Sequence, residues 1–294
     1  MIRYIDRMTG KVCQEKVFGE KLIYLFYGDS WVSKILFPFL RLSRFYFISY
    51  CVGLFQKSSF SKKRITPFVE EYKVNFNEFQ KKDFTSFNDF FIRKLKPESR
   101  PIDTDISRLV MPVDGRYLVY QIIDQFEIKG KKFDLDTFLQ DSKLADQYRK
   151  GSMLIGRLAP VDYHRFHFPC TGVASKSIQI GGSLYSVNPI ALKKRVQTLF
   201  ENKRVLTRLQ TDRWGQILIV EIGATFVGSI RQTFIPNTFI QKGGEKGYFE
   251  FGGSCVVLIF EKDRIQFDLD LIDNTRQGFE TKANFGQSLG SIFN

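Results

Sequence analysis

Only two histidines occur in this 294-residue chain, His164 and His167, and they lie three residues apart in APVDYHRFHFPCTG. Imidazole is the side chain best suited to exchanging protons near neutral pH, so any general acid-base step is expected to use this segment. A lone histidine is more often structural, and it is the pairing that shifts the balance toward chemistry. Zinc is disfavoured, because no further histidine exists and Cys13, Cys51, Cys170 and Cys255 lack paired ligand spacing. No metal is therefore expected. Serine-hydrolase chemistry is disfavoured as well: in FGGSCVV the residue two after Ser254 is Val256, which breaks the G-x-S-x-G pattern.

Ser254 offers a different chemistry. It follows the glycine-rich GGEKGYFEFGG and precedes CVVLIF, a loop-to-strand junction. Gly253 leaves its carbonyl unshielded there and bends at little steric cost. Given a base to take its proton, Ser254 can attack that carbonyl. A glycine-rich turn that merely contains a serine is the plain alternative, and the segment alone does not separate the two.

The elements that must position these residues fall into two regions. Up to about Arg100 the segments are long, poor in glycine and compatible with helix, ending in SFNDFFIRKLKPESRPID, where Pro97 and Pro101 break the pattern. Beyond it, YLVYQII, ILIVEIG, TFVGSI and CVVLIF are short, rich in β-branched residues and punctuated by glycine, which predicts strands. LDTFLQDSKLADQYRK and PIALKKRVQTLF are the helix candidates of that part. The predicted class is α+β: helical, membrane-associating residues 1–100, then a β-rich catalytic core over 101–294. With 43% apolar residues the chain can bury such a core.

A net charge of +13 calls for an anionic partner. Between Trp31 and Val69 there is no acidic residue but there are seven basic ones, Lys34, Arg41, Arg44, Lys57, Lys62, Lys63 and Arg64. The longest uncharged run there, Phe45 to Gln56, is shorter than the ~20 apolar residues a spanning helix needs. Aromatic bulk mixed with cations suits an interfacial segment that meets an anionic membrane surface; the alternative is a pair of ordinary helices with solvated cations. Nucleic acid fits less well, because the cations are interleaved with bulky apolar residues rather than set along a polar stripe. A non-enzymatic lipid-binding protein also fits this surface. No secretory signal or organelle transit pattern opens the chain, and the scattered cysteines suit a reducing compartment.

Several segments, taken in order, resemble the phosphatidylserine decarboxylase family. They are SFNDFFIRKLKPESRPI (86–102), MPVDGR (111–116), PVDYHRFHFP (160–169), GGSLYSVNPIAL (181–192), ENKR (201–204), IGATFVGSI (222–230) and KGGEKGYFEFGGSCVVLIF (242–260). The paired glycines before the serine are similar to the type II-like branch. The resemblance implies a self-processing enzyme that converts phosphatidylserine to phosphatidylethanolamine. In it Asp114 and His167 would activate Ser254, which attacks Gly253 and is converted to a covalent pyruvoyl (pyruvate) group that forms a Schiff base with the substrate amine. His164 would be the proton donor that quenches the carbanion. The chain would mature into a heterodimer of its own large chain, 1–253, and small chain, 254–294. The implied setting is peripheral, on the cytoplasmic side of the cell membrane, with phosphatidylserine and an anionic membrane surface as partners, no nucleic acid, and room for a higher homo-oligomer. One departure is Cys255, where the family commonly carries threonine or serine; it stands as a rival nucleophile or as simple packing.

Overall fold

The computed structural model describes residues 2–16, 44–123, 127–128, 131–132, 134–182, 202–223, 230–252 and 254–293. Its centre is an eleven-stranded sheet. The strands that matter for the site are β1 (Arg3–Asp6), β2 (Val12–Gln14), β3 (Gly115–Tyr120), β4 (Ser152–Leu158), β5 (Arg165–His167), β6 (Arg204–Gln210), β7 (Gln216–Gly223), β8 (Glu245–Phe249), β9 (Ser254–Phe260) and β10 (Glu280–Ala283). Across the main sheet they run β6-β7-β9-β4-β3-β10-β1-β2, with short strands at 172–174 and 239–240 beyond β6 and 178–180 also pairing with it. β9 is central. CVVLIF is apolar throughout because that strand is buried on both faces, and ILIVEIG follows the same logic beside it with Glu221 as the exception.

A smaller antiparallel sheet joins 230–232, β8 and β5, and another joins 108–110, 265–267 and 288–292. Side chains alternate across the main sheet. One face carries Leu154, Leu158, Ile217, Ile219, Val256, Leu258 and Phe260, packed with Phe166, Phe168 and Phe249 of the small sheet side. The other carries Met153, Ile155, Leu218, Val220, Cys255, Val257 and Ile259, covered by helices at Leu135–Leu139 and Ser142–Tyr148. LDTFLQDSKLADQYRK thus makes two helices rather than one. Gln140 takes a left-handed conformation, and the Asp141 side chain accepts from Leu144 N to start a new helix.

The α+β class and the β-rich core hold. The expected all-helical character of residues 1–100 needs correction: β1 lies parallel to β10 and β2 closes a hairpin on it, so residues 3–14 extend the core sheet. Glu15 explains the anchorage, since its buried carboxylate accepts from Arg157 at 3.0 and 2.6 Å and meets Arg116 at 3.2 Å. Helices α1 (Arg44–Lys57), α2 (Ile65–Tyr72) and α3 (Phe87–Phe91) do follow, with 3-10 turns between them. Among the described residues no helix is long and apolar enough to cross a membrane. Phe68, Phe79, Phe84, Phe87, Phe90 and Phe91 form an aromatic cluster that also takes in Tyr163, Phe251 and Phe285 from the core. The helix expected over PIALKKRVQTLF, the strand residues 225–229 of TFVGSI, most of GGSLYSVNPIAL, the part of the basic segment before Arg44, and Gly253 lie outside the described residues.

Candidate functional site

All four singled-out side chains sit at strand ends. Asp114 immediately precedes β3, His164 precedes β5, His167 ends β5, and Ser254 opens β9. β4 gathers them: Arg116 pairs with its Arg157 and Ser254 with its Leu158, so Asp114 and Ser254 both flank the C-terminal end of this strand. From that end residues 159–163 lead straight into the histidine segment. β5 in turn pairs with β8, whose last residue, Phe249, donates its amide to the His164 carbonyl at 2.9 Å. Gly252, two residues before Ser254, has φ of 142°, a conformation that side-chain-bearing residues rarely adopt.

Ser254 is fully buried, and its Oγ has no hydrogen-bond partner among the described residues. An orphaned buried hydroxyl costs about 1–3 kcal/mol and calls for an explanation. His164 shows the same feature. Its Nδ1 donates to the Asp162 carbonyl at 2.9 Å, its ring lies 3.8 Å from that of Phe91, and its buried Nε2 is unpartnered among the described residues. Since a carbonyl only accepts, the proton is on Nδ1 and Nε2 carries the lone pair. Burial, with Arg93 adding to it, pushes His164 down to about 3.

His167 is held in the same tautomer. Its Nδ1 donates to the Gly243 carbonyl at 3.0 Å, and the Tyr163 hydroxyl donates to its Nε2 at 3.3 Å. Burial pushes it down to about 4. Both imidazoles are thus neutral at pH 7 and present Nε2 as a base. The ring of His167 stacks on Phe285 at 3.8 Å and 16°.

Asp114 does not bond to either imidazole. Arg100 grips its carboxylate through Nε at 3.0 and 2.9 Å and through Nη2 at 2.7 Å, and Phe285 N donates to it at 2.8 Å. Its link to His167 therefore runs through Phe285, whose amide it fixes and whose ring carries the imidazole. Its negative charge also favours the protonated form of His167. Arg100, Asp162, Tyr163 and Gly243 all lie within the motifs read from the sequence but were given no task there, and Phe285 lies in none of them. Only the charge-matched Arg100–Asp114 pair left a readable sign, as an arginine in the proline-bounded segment before the core.

Cys255 pairs with Ile222 and Arg157, and its side chain lies in the opposite cluster from Ser254's row. Burial pushes its thiol up to about 12. It is a packing residue. No group of three or more possible metal ligands occurs among the described residues.

The family model described as phosphatidylserine decarboxylase matches residues 87–291. The phosphatidylserine decarboxylase proenzyme of Chlamydia pneumoniae is 47% identical over 98% of this chain and 96% of its own length. That of Chlamydia muridarum is 45% identical over 99% and 97%, and that of Clostridium novyi 42% identical over 99% of both. With the family model spanning the strand ends that carry Asp114, the histidine pair and Ser254, and these relatives matching nearly the whole chain, the chain belongs to the phosphatidylserine decarboxylase family.

Proposed function

We propose that this chain cleaves itself between Gly253 and Ser254 and then decarboxylates phosphatidylserine to phosphatidylethanolamine. The observation that carries the reading is Ser254 itself: a buried, unpartnered hydroxyl that opens the central strand at the end of β4 from which the chain runs into the segment of two neutral imidazoles. His167 Nε2 takes the Ser254 Oγ proton, directly or through the Tyr163 hydroxyl, and Oγ attacks the Gly253 carbonyl. The C–N bond breaks as the amine takes a proton, which leaves an ester. Loss of the Ser254 α-proton expels the Gly253 carboxylate, and water hydrolyses the resulting dehydroalanine to a pyruvoyl group and ammonia. Asp114 is a positioning residue for His167, by way of Phe285.

The orphaned atoms fit such a group, since Ser254 would carry it and His164 Nε2 lacks a partner. When formed, the pyruvoyl supplies a carbonyl that links to the substrate amine and accepts the electron pair released as CO2 leaves. His164 Nε2, unprotonated at rest, takes a proton from the substrate ammonium and returns one to the α-carbon. A second reading, favoured by the orphaned Nε2, exchanges the two histidines, so that His164 serves Ser254.

Cleavage leaves β9 hydrogen-bonded between β7 and β4, so chains 1–253 and 254–294 stay together as a heterodimer without denaturant. The intact mass of active protein checks this: two masses, the smaller a 41-residue chain with a blocked N-terminus, are expected, and one full-length mass in fully active protein overturns it.

The exposed Leu54, Phe55 and Phe60, set among Lys57, Lys62, Lys63 and Arg64, support peripheral attachment to an anionic membrane surface. Lys57 also reaches Glu250 at 2.8 Å, which ties this surface to the segment before Ser254. Flotation with phosphatidylserine vesicles is expected to weaken at high salt; binding unchanged by charge reversal at Lys62, Lys63 and Arg64 overturns the assignment.

A further inference from the structure

Lys246 and Glu221 are wholly buried, and their charged ends meet at 2.8 Å. Gln232 closes the ring: its Oε1 accepts from Lys246 Nζ at 2.7 Å, and its Nε2 donates to Glu221 at 2.9 Å. The Phe166 and Phe234 rings flank the ammonium at 5.6 and 5.1 Å. Burying two ions costs several kcal/mol for each, which the pairing roughly offsets, so such a pair is a poor source of stability. Its use lies in the geometry it fixes. None of the chemistry above employs it.

The placement of the pair gives that geometry. Where β8 meets β5, Glu245 stands opposite His167 and Gly247 opposite Phe166, so Lys246 is the extra residue of a β-bulge across from His167. Bulges re-aim a side chain, and here the side chain leaves the small sheet for the core between the sheets. A slip of β8 by one residue would put a side chain in place of Gly247, where a Cβ would lie 2.0 Å from Arg231 O and 2.7 Å from the Phe166 ring. The bulge is thereby locked. At the other end, Glu221 pairs with Val256 while Gly223 pairs with Ser254. Strand alternation sets Glu221, Val256 and Ser254 on one face, the row shared by Ile217, Ile219 and Leu258. Glu221 is the diagonal neighbour of Ser254. One ion pair therefore spans from β8, the strand paired with that of His167, to β7, the strand beside the nucleophile.

We propose that Lys246, Glu221 and Gln232 form a positioning strut that fixes the His167-bearing sheet against the Ser254 strand and so sets the geometry for self-cleavage. This rests on the reading of Ser254 as the processed residue.

The test follows self-cleavage of freshly synthesised full-length chain on gels, with melting measured in a Ser254→Ala background so that processing does not confound it. Single changes strand a buried charge, so the informative variant is Lys246→Met with Glu221→Gln, which removes both charges and leaves Gln232 an amide to bond. It is expected to melt within a few degrees of the parent yet to cleave about 100-fold more slowly. The exchange Lys246→Glu with Glu221→Lys restores the pair, because the Gln232 amide can turn over, and is expected to recover cleavage to within about tenfold of the parent. Gln232→Met keeps the ion pair and decides the matter if the double variants do not fold: a slowing of about tenfold supports the strut, and parental cleavage overturns it. Parental cleavage by the charge-free variant overturns it too, as does a folded exchange variant that recovers nothing. A parent chain that never cleaves would instead remove the reading of Ser254 itself.

Discussion

Ser254 and Cys255 are neighbours in sequence and strangers in space. Ser254 shares a sheet face with Glu221 and Val256, against which the histidine-bearing small sheet packs. Cys255 joins Leu218, Val220, Val257 and Ile259 on the other face, under the two helices of residues 135–148. The second face packs apolar side chains around β9, with Arg157 beside Cys255 turned to Glu15 and Glu280, and burial there keeps the thiol protonated at neutral pH. The first accepts the orphaned hydroxyl of Ser254, with the Lys246–Glu221 pair as its diagonal neighbour. A period of two residues along the strand thus separates the reactive nucleophile from the inert one, although the thiol is intrinsically the stronger. A polar group left unsatisfied in a core calls for an explanation, and for Ser254 the proposed chemistry supplies one.

The largest expected effect breaks this comparison outright. Ser254→Ala should give a single uncleaved chain with no decarboxylase activity, whereas Cys255→Ala should cleave within a few-fold of the parent and lose only packing. If Cys255→Ala blocks cleavage and Ser254→Ala does not, the assignment of the faces is wrong; a gel time course decides.

Next in size comes the separation of the two imidazoles. His167→Ala should remain uncleaved. His164→Ala should cleave and form a carbonyl that traps substrate amine on reduction, yet release CO2 about 10²–10⁴-fold more slowly, the usual weight of a general acid-base group. Asp114→Asn should slow cleavage less than His167→Ala, because the amide can still accept from Phe285 N while losing charge against Arg100. The reverse outcome for the histidines favours the exchanged reading, and parental cleavage and turnover in both variants would discard the mechanism.

The smallest effect is a pH dependence confined to the site face. Unfolded histidine titrates near 6.5, and burial holds His167 at about 4 and His164 at about 3 in the folded protein. Between ~6.5 and those values the unfolded chain binds more protons, so stability falls as pH drops through that window and is fully present above it. Denaturation midpoints of the Ser254→Ala precursor should therefore decline from about pH 6.5 downward, and replacing both histidines should flatten the decline. Self-cleavage, which needs a neutral base, should persist to about pH 5. A rate that already halves near pH 6.5 would contradict the buried, neutral His167.

Much of this was legible in the chain. CVVLIF is a strand because a doubly buried strand must be apolar along its length, ILIVEIG follows it but for Glu221, YLVYQII is strand as far as Tyr120, and two glycines before a serine mark a junction where the backbone bends. The histidine segment was readable because proton exchange at neutral pH admits few other side chains. The helical reading of residues 1–100 failed at its beginning, since nothing local in RYID announces that β10 waits some 270 residues away as its partner, with VCQ then folding back on RYID. The division of LDTFLQDSKLADQYRK into two helices turned on one left-handed residue and one aspartate cap, which periodicity does not register.

Sequence alone determined which side chains are capable of the chemistry: the serine of FGGSCVV, two histidines, the aspartate of MPVDGR, and the order of motifs that marks the family. Their partners came from tertiary structure. That Asp114 answers to Arg100 and Phe285 rather than to an imidazole, that backbone carbonyls of Asp162 and Gly243 choose the histidine tautomers, and that Cys255 faces away from Ser254 all depend on contacts between segments far apart in the chain. Residue type fixes what a group can donate, accept or attack, whereas its tautomer, its pKa and its neighbour are properties of the packed environment, which exists only once distant strands have met.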